Sequence, residues 1–381
     1  MSRNGALSRC EKRKCKCTKD KGQDQEKVRN QKMKKMACEY EKFLTKDSKS
    51  LLKKYLTRDL YERIKENFTR LNGTLLDCAQ SGLTHPESNV GLYACDQHAY
   101  KVFAELFDAV ISDYHVGFCK NDVHPPSNWG DPAKLPSIDP ESKYVISTRV
   151  RCARSVCGYP FCPLMTEQDY LEIQEKLKCA FRTKQAELNC EYYGLDKMTE
   201  EQRQQLVADH FLFRNDDKIL EDANAYQFWP KGRGIFHNPE KKLLAWCCEE
   251  DHLRLISMEK GNDLRGVYGR LKNAIGVLES QVQFSHDDRL GYLTFCPTNL
   301  GTTIRASVHI KLPKLAKDMD NFKNIAKQYS LQVRGTGGEH TESVGGVYDV
   351  SNIRRLGLTE FDVLMEMSQG LNKLIQEEEK L

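Results

Sequence analysis

Tyr144-Val-Ile-Ser-Thr-Arg-Val-Arg151 is the stretch on which the fold turns. Its β-branched and aromatic opening from Tyr144 to Thr148 predicts a strand. Because successive side chains on a strand leave opposite faces, the period-two spacing sends Arg149 and Arg151 out of the same face. Three similar runs follow: Leu243-Leu-Ala-Trp246, Leu253-Arg-Leu-Ile-Ser257 and Thr303-Ile-Arg-Ala-Ser-Val-His-Ile310. Amphipathic helices are expected between them, over Glu167 to Ala186 and Gly261 to Val282. Strands with one apolar and one polar face point to a mainly antiparallel sheet flanked by helices, in a C-terminal domain spanning 143–381.

Working back along the chain, Pro125, Pro126, Pro132, Pro136 and Pro140 crowd a segment of little periodicity, which reads as a linker over 121–142. Before it, Leu51, Leu52, Tyr55, Leu56, Leu60 and then Tyr100, Phe103, Ala104, Phe107, Val110, Ile111 recur at helical intervals. A small all-α domain over 36–120 is the expectation, so the fold class is α+β. Within it, the Gly-, Ser- and Asn-rich loop Gln80 to Gly91 has the turn chemistry to present backbone N–H groups to a ligand.

The chain of 381 residues carries a net charge of +4. Residues 1–35 hold 13 Lys/Arg against 4 Asp/Glu, leaving 45 against 50 elsewhere, so the basic balance belongs to a tail. Without aliphatic periodicity that tail is expected to be disordered, serving solubility or attachment to an acidic partner. Glu11, Asp20, Asp24 and Glu26 interrupt the pattern of a mitochondrial leader, so a cytoplasmic location is expected first. No run of 18 apolar residues suggests a membrane span. The 15 cysteines are scattered and odd in number, and clusters such as Cys10, Cys15, Cys17 and Cys152, Cys157, Cys162 lack paired zinc spacing. Reduced thiols without a protein-bound metal are expected.

Arginines on strands and turns carry the first chemical signal: Arg149, Arg151, Arg254, Arg305, and Arg334 opening the run Arg334-Gly-Thr-Gly-Gly-Glu339. Taken singly each reads as an exposed charge or a structural ion pair; converging, they could clamp a triphosphate. Phosphoryl transfer needs such a clamp, because the protein's main work is to align the partners and neutralise charge. Neither a P-loop nor a protein-kinase signature is present. Glu250 and Glu339 form a second signal and Cys296, in Thr294-Phe-Cys-Pro-Thr-Asn-Leu-Gly-Thr302, a third. Solvated loop carboxylates and an inert buried thiol are the bland alternatives.

Cys296-Pro-Thr-Asn-Leu-Gly-Thr302 resembles the signature of the phosphagen kinases. Tyr114-His-Val-Gly117, Ser147-Thr-Arg-Val-Arg-Cys152, His210-Phe-Leu-Phe213, Glu249-Glu-Asp-His-Leu-Arg254, Arg305-Ala-Ser-Val-His309, Arg334 to Glu342 and Gly357-Leu-Thr-Glu360 are similar in order and spacing, from about residue 36 onward. The resemblance implies an active site between a helical domain and a sheet domain, with MgATP as phosphoryl donor and Mg²⁺ held through the nucleotide. It assigns ATP binding to Ser147, Thr148, Arg149, Val150, Arg151, His210, Arg254, Arg305, Ala306, Ser307, Val308, His309, Arg334, Gly335, Thr336, Gly337, Gly338 and Glu339. Acceptor binding falls to Ser88, Asn89, Val90, Gly91, Leu92, Tyr93, Glu250, Cys296 and Glu339, and catalysis to Glu250, Glu339, Cys296 and Arg254. Loop closure over Arg334 to Gly346 would exclude water.

By the same resemblance, the short Gln80–Gly91 loop and Glu339 imply free arginine as acceptor, with another guanidine such as taurocyamine as the alternative. Gly337, Asn89 and Cys248 depart from what arginine-using members commonly carry. A bacterial-type protein-arginine kinase lacks the helical domain expected here, and a catalytically silent binding module would not need the arginines, glutamates and cysteine together. The family resemblance implies a monomer; no nucleic-acid partner is expected.

Overall fold

Residues 18–182, 188–335 and 346–381 are described by a computed structural model of the chain. Six helices form the N-terminal part: α1 (Thr18–Thr45), α2 (Leu51–Tyr55), α3 (Arg58–Ile64), α4 (Leu75–Thr84), α5 (Ala99–Val102) and α6 (Ala104–Tyr114). Their starts are set by side-chain caps, Ser50 accepting from the Lys53 N–H, Thr57 from the Leu60 N–H, and a Thr74/Asp77 capping box on α4. Helix α1 revises the expectation for the tail, since residues 18–35 are helical while 1–17 lie outside the described residues. The reason is packing: Met36, Tyr40 and Phe43 put a buried stripe on α1, Arg29 lies 3.9 Å over the Phe68 ring, and Lys32 reaches Asp77 at 2.7 Å.

In the larger part, ten strands form in sequence order: β1 (Val145–Arg154), β2 (Glu191–Gly194), β3 (Gly234–His237), β4 (Leu243–Cys247), β5 (Leu253–Lys260), β6 (His286–Asp287), β7 (Gly291–Tyr292), β8 (Arg305–Lys311), β9 (Leu331–Gly335) and β10 (Val347–Asn352). Eight make one sheet in the order β2-β3-β4-β5-β1-β8-β10-β9, every neighbouring pair antiparallel; β6 and β7 make a separate ribbon. The helices of this part are α7 (Glu167–Phe181), α8 (Glu200–Ala208), α9 (Lys218–Asp222), α10 (Leu264–Gln281), α11 (Met319–Gln328) and α12 (Glu360–Lys380). Val150, Leu255, Ala306, Val308 and Val350 share a core with Leu177 of α7, Leu271 of α10, Phe322 of α11 and Leu371 of α12. That face of the sheet is therefore sealed, and the residues alternating with these face the other way.

The expected helix over Glu167 to Ala186 ends at Phe181, with 183–187 outside the described residues, and the one expected from Gly261 begins at Leu264, where Asp263 accepts from the Gly266 N–H. The proline-rich segment has only a short 3-10 turn (Pro132–Lys134) and is tied down by Glu360, which accepts from the Asn128 N–H at 2.7 Å and the Ser127 hydroxyl at 3.0 Å. Phe161, Leu293, Phe295 and Leu356 pack into the same buried cluster as the N-terminal helices, so the core runs across the expected linker. No helix of the described residues is long and apolar enough to cross a membrane.

One close approach positions the loop from Gln80 to Gly91. A Cβ on Gly82 of α4 would lie 2.1 Å from the Gly91 carbonyl oxygen, and Gly91 has φ +70°. Gly82→Ala is expected to destabilise the protein by roughly 3 kcal/mol or more, since backbone atoms on both sides must give way. Chemical denaturation of the variant checks this, a loss under about 1 kcal/mol being the contrary result.

Candidate active site

Strand register assembles the cationic cleft. Across β1 and β8, Arg151 stands opposite Arg305, Arg149 opposite Ser307, and Ser147 opposite His309. Across β8 and β10, His309 stands opposite Asp349, which pairs in turn with Arg334 of β9. These side chains, with Met258 of β5 and His210 from the segment after α8, line one cleft on the open face of the sheet. Like charges directly opposite each other on neighbouring strands destabilise a sheet, so the Arg151–Arg305 pair makes physical sense as a seat for an anion.

The electrostatics agree. Arg305 is held by Asp349 at 2.5 Å. Arg149 keeps its Nε and Nη2 buried and, among the described residues, without a hydrogen-bond partner, with its guanidinium 5.5 Å from the Trp246 ring centroid. Burial, and then the neighbouring Arg305, push Arg149 down to about 10, and Arg151 well below the usual arginine range for the same two reasons in the same order. Burial also lowers His309, against the pull of Asp349.

Arg254 of β5, expected to hold phosphate and to take part in catalysis, lies next to the cleft and not in its lining. It lines a smaller pocket beside the cleft, with Arg151, Arg305, Asn299 and Arg355, and is gripped by Glu249 at 2.8 Å, Glu250 at 2.6 Å and Asp251 at 3.3 Å. Burial would lower it, but these carboxylates raise it well above its ordinary value. Glu250 is thereby fixed at one oxygen by Arg254, and its other oxygen accepts from Asn299 Nδ2 at 3.2 Å. Asn299 is itself held by Arg355 Nη1. Asp251 accepts from the Phe295 N–H at 3.1 Å, and His252 donates from Nε2 to the Pro160 carbonyl while accepting the Val156 N–H, a structural role.

Cys296 lies at the end of that arrangement, buried, its Sγ 3.1 Å from the Thr298 hydroxyl. Burial, then Glu250, push its thiol up to about 12, while Thr298 pulls the other way. A cation between Glu250 and the sulfur would relieve both carboxylate and thiolate repulsion. Tyr93 closes the site from the helical side: its ring stacks on Phe295 with centroids 4.5 Å apart, and burial raises its phenol, with Cys296 and Glu250 adding to the shift. The Ala94 N–H to Phe295 carbonyl bond at 2.8 Å and the Tyr100 hydroxyl on the Thr294 carbonyl at 2.8 Å knit the two parts together here.

The loop expected to bind the acceptor offers less free backbone than expected. The Gly91 N–H is taken by the Ser88 hydroxyl, and the Asn89 and Val90 carbonyls accept the first N–H groups of α2, from Leu51 and Leu52. Leu92 is fully buried in the helical core. On the sheet, Val150, Ala306 and Val308 turn their side chains into the sealed core and Thr148 donates to the Gly261 carbonyl, so of those runs only Ser147, Arg149, Arg151, Arg305, Ser307 and His309 reach the cleft by side chain. Gly335 ends β9; Thr336, Gly337, Gly338 and Glu339, with most of the expected closing loop, lie outside the described residues. Asp349, Asn299, Arg355, Trp246 and Met258 are the site residues that sequence reasoning missed. Of these, Asn299 and Trp246 sat in quoted stretches, Trp246 only as part of a strand-like run.

Residues 46–112 match the model of the ATP:guanido phosphotransferase N-terminal domain, and residues 172–381 that of the ATP:guanido phosphotransferase C-terminal catalytic domain. Among curated proteins, the chain is similar to the arginine kinase of Schistocerca americana, 55% identical over 92% of this chain and 98% of that one, and to that of Artemia franciscana, 56% identical over 87% and 94%. Among solved structures it resembles the duplicated taurocyamine kinase of Schistosoma mansoni with bound transition state analog components, with a TM-score of 0.85 and 46% identity. That match covers 90% of this chain and 48% of the duplicated one, about half its length. A lombricine kinase matches with a TM-score of 0.83 and 37% identity over 87% of this chain and 93% of the other.

Proposed function

Because this chain belongs to the ATP:guanido phosphotransferase family, we propose that it is an arginine kinase, moving a phosphoryl group reversibly between ATP and the guanidinium of free arginine. The observation that carries the reading is Glu250, locked by Arg254 and Asn299 beside Cys296 and Tyr93, next to a cleft of arginines on the open sheet face. Relatives named arginine kinase at about 55% identity over nearly their whole length support the choice of acceptor.

In this reading Arg149, Arg151, Arg305 and Arg334 hold the phosphates, with His210 and His309 toward the adenosine. Arg254 orients Glu250 and closes the near side of the phosphate seat. Among the described residues the only carboxylate lining the cleft, Asp349, is engaged by Arg305, so the fit is to a Mg²⁺ carried by the nucleotide, which when bound would neutralise phosphate charge. Glu250 fixes the guanidinium plane and accepts its proton as the nitrogen attacks, joined by Glu339 when the loop closes. Cys296 faces the same cation, and Ser88 to Tyr93 take the amino-acid end. Alignment dominates: near-attack positioning can supply roughly 7–11 kcal/mol, against roughly 3–5 for proton transfer. The reading extends to a monomer acting in the cytoplasm.

Taurocyamine is the second reading, since the taurocyamine kinase fold matches at 46% identity. Initial rates with MgATP and arginine, taurocyamine, lombricine, glycocyamine or creatine decide between them. Arginine is expected to give a kcat/KM at least about 100-fold above the rest, because a site built to hydrogen-bond one acceptor end leaves buried polar groups unpaired with another. Preference for taurocyamine would keep the chemistry and overturn the acceptor.

A further inference from the structure

His85 ends α4 and opens the loop that runs to Tyr93. Both of its ring nitrogens meet carboxylates: Nδ1 is 2.8 Å from Glu87 Oε1, on the loop, and Nε2 is 2.7 Å from Asp222 Oδ2, at the end of α9. A neutral imidazole has one N–H and one lone pair, so one contact would set lone pair against lone pair. Only the imidazolium satisfies both.

Two neighbouring contacts between the same elements carry no such condition: Gln80 Nε2 donates to the Asp222 carbonyl at 3.1 Å and the Ser81 hydroxyl to the Ile219 carbonyl at 2.6 Å. They dock α4 on α9 at any pH. From α9, among the described residues, the loop itself is reached through Glu87, one residue before Ser88, while the Ser48 hydroxyl donates to the neighbouring Pro86 carbonyl at 2.6 Å from the helical side. Its far side is fastened to α2 by the Asn89 and Val90 carbonyls.

We propose that His85, as an imidazolium bridging Glu87 and Asp222, is a positioning residue that fixes the acceptor loop against the large domain, so that acceptor affinity falls when His85 loses its proton. The inference rests on the arginine-kinase reading and adds to it a proton-dependent set-screw for the acceptor end. The charged groups around the bridge are few. Lys46 donates to the Leu83 carbonyl and attracts Glu87, Lys218 is paired with Glu221 on α9, and Asp217 caps the start of α9. Burial lowers His85, but Glu87 and then Asp222 outweigh it, and the net shift is upward. For a group whose folded value is raised, the contact is complete below the unfolded value near 6.5 and is lost as pH rises through the folded value. Glu87 is the more exposed carboxylate, 64% against 43% for Asp222, so the loop side lets go first.

The test is KM for arginine and for MgATP between about pH 6 and 8.5 in the wild type, His85→Gln and Asp222→Asn, with the His85 ring followed by two-bond ¹H–¹⁵N NMR. In the wild type the arginine KM is expected to rise roughly two- to five-fold across His85 deprotonation, the scale of a partly exposed ion pair, with no matching rise for MgATP. His85→Gln, which cannot donate to both carboxylates at once, should hold the high arginine KM at every pH. Asp222→Asn should hold the low one, because its amide can donate to a neutral Nε2 while Nδ1–H serves Glu87. A purely structural histidine would not split the two variants in opposite directions. Equal, pH-parallel arginine KM curves in all three proteins would overturn the proposal, as would an NMR spectrum with His85 neutral at about pH 6.5. Should no guanidine be phosphorylated, the function falls, and the NMR titration still decides the bridge.

Discussion

Glu250→Gln is expected to lower kcat for arginine phosphorylation by at least about 10³-fold. The substitution preserves shape, and Arg254 keeps Glu249 and Asp251 as partners, so the fold and the arginine cleft should survive. What it removes is the negative charge that fixes the guanidinium and the base that takes its proton. General-base help alone is worth about 10²–10⁴-fold, and misalignment of the attacking nitrogen adds to the loss. KM for MgATP should stay within about two- to three-fold, because no phosphate contact is touched. Steady-state kinetics give both numbers, and a loss under about tenfold would remove Glu250 from the chemistry.

The second large effect separates activity from stability. Arg149→Met is expected to lower kcat/KM for MgATP by roughly 10²–10³-fold, the scale seen when one preorganised transition-state donor is lost. It should also raise the melting temperature of the ligand-free protein. Arg149 is partly buried, with two buried nitrogens that have no hydrogen-bond partner among the described residues, and replacing buried ionic groups by apolar ones of similar volume is often stabilising by about 1–4 kcal/mol. Against this stand the Trp246 cation–π contact, worth about 0.5–2 kcal/mol, and the weaker attraction of Asp349 and Glu249. Differential scanning calorimetry without nucleotide should therefore show a gain of roughly 2 °C or more. A variant that melts lower and keeps its nucleotide kinetics would mean that Arg149 is a structural cation.

The two sides of the site were unequally legible in the sequence. Period-two spacing put Arg149 and Arg151 on one face correctly, because strand geometry depends on nothing outside the strand. The resemblance, carried over as whole motifs, brought in Thr148, Val150, Ala306 and Val308 as well, whose side chains the pleat turns the other way. Asp349 was invisible because it meets Arg305 only through the register of β10 on β8, and no local signal in Val347–Asn352 marks it. Arg254 was read as a phosphate ligand from its place in a motif; the motif did not show that Glu249, Glu250 and Asp251, three to five residues before it on the chain, also hold its guanidinium. Short strands such as Glu191–Gly194 and Gly234–His237 lack enough periodicity to register. Helix α1 escaped notice because its anchors, Asp77 and Phe68, lie more than thirty residues away along the chain.

The central claim is that the phosphoryl group goes to a guanidinium nitrogen of arginine. Phosphorus NMR of one sample containing the protein, MgATP and L-arginine tests it most directly. A phosphoramidate resonance should appear as the ATP γ signal falls, and should disappear again when excess MgADP is added. ADP and inorganic phosphate alone, or a phosphoramidate only when taurocyamine replaces arginine, would contradict the account.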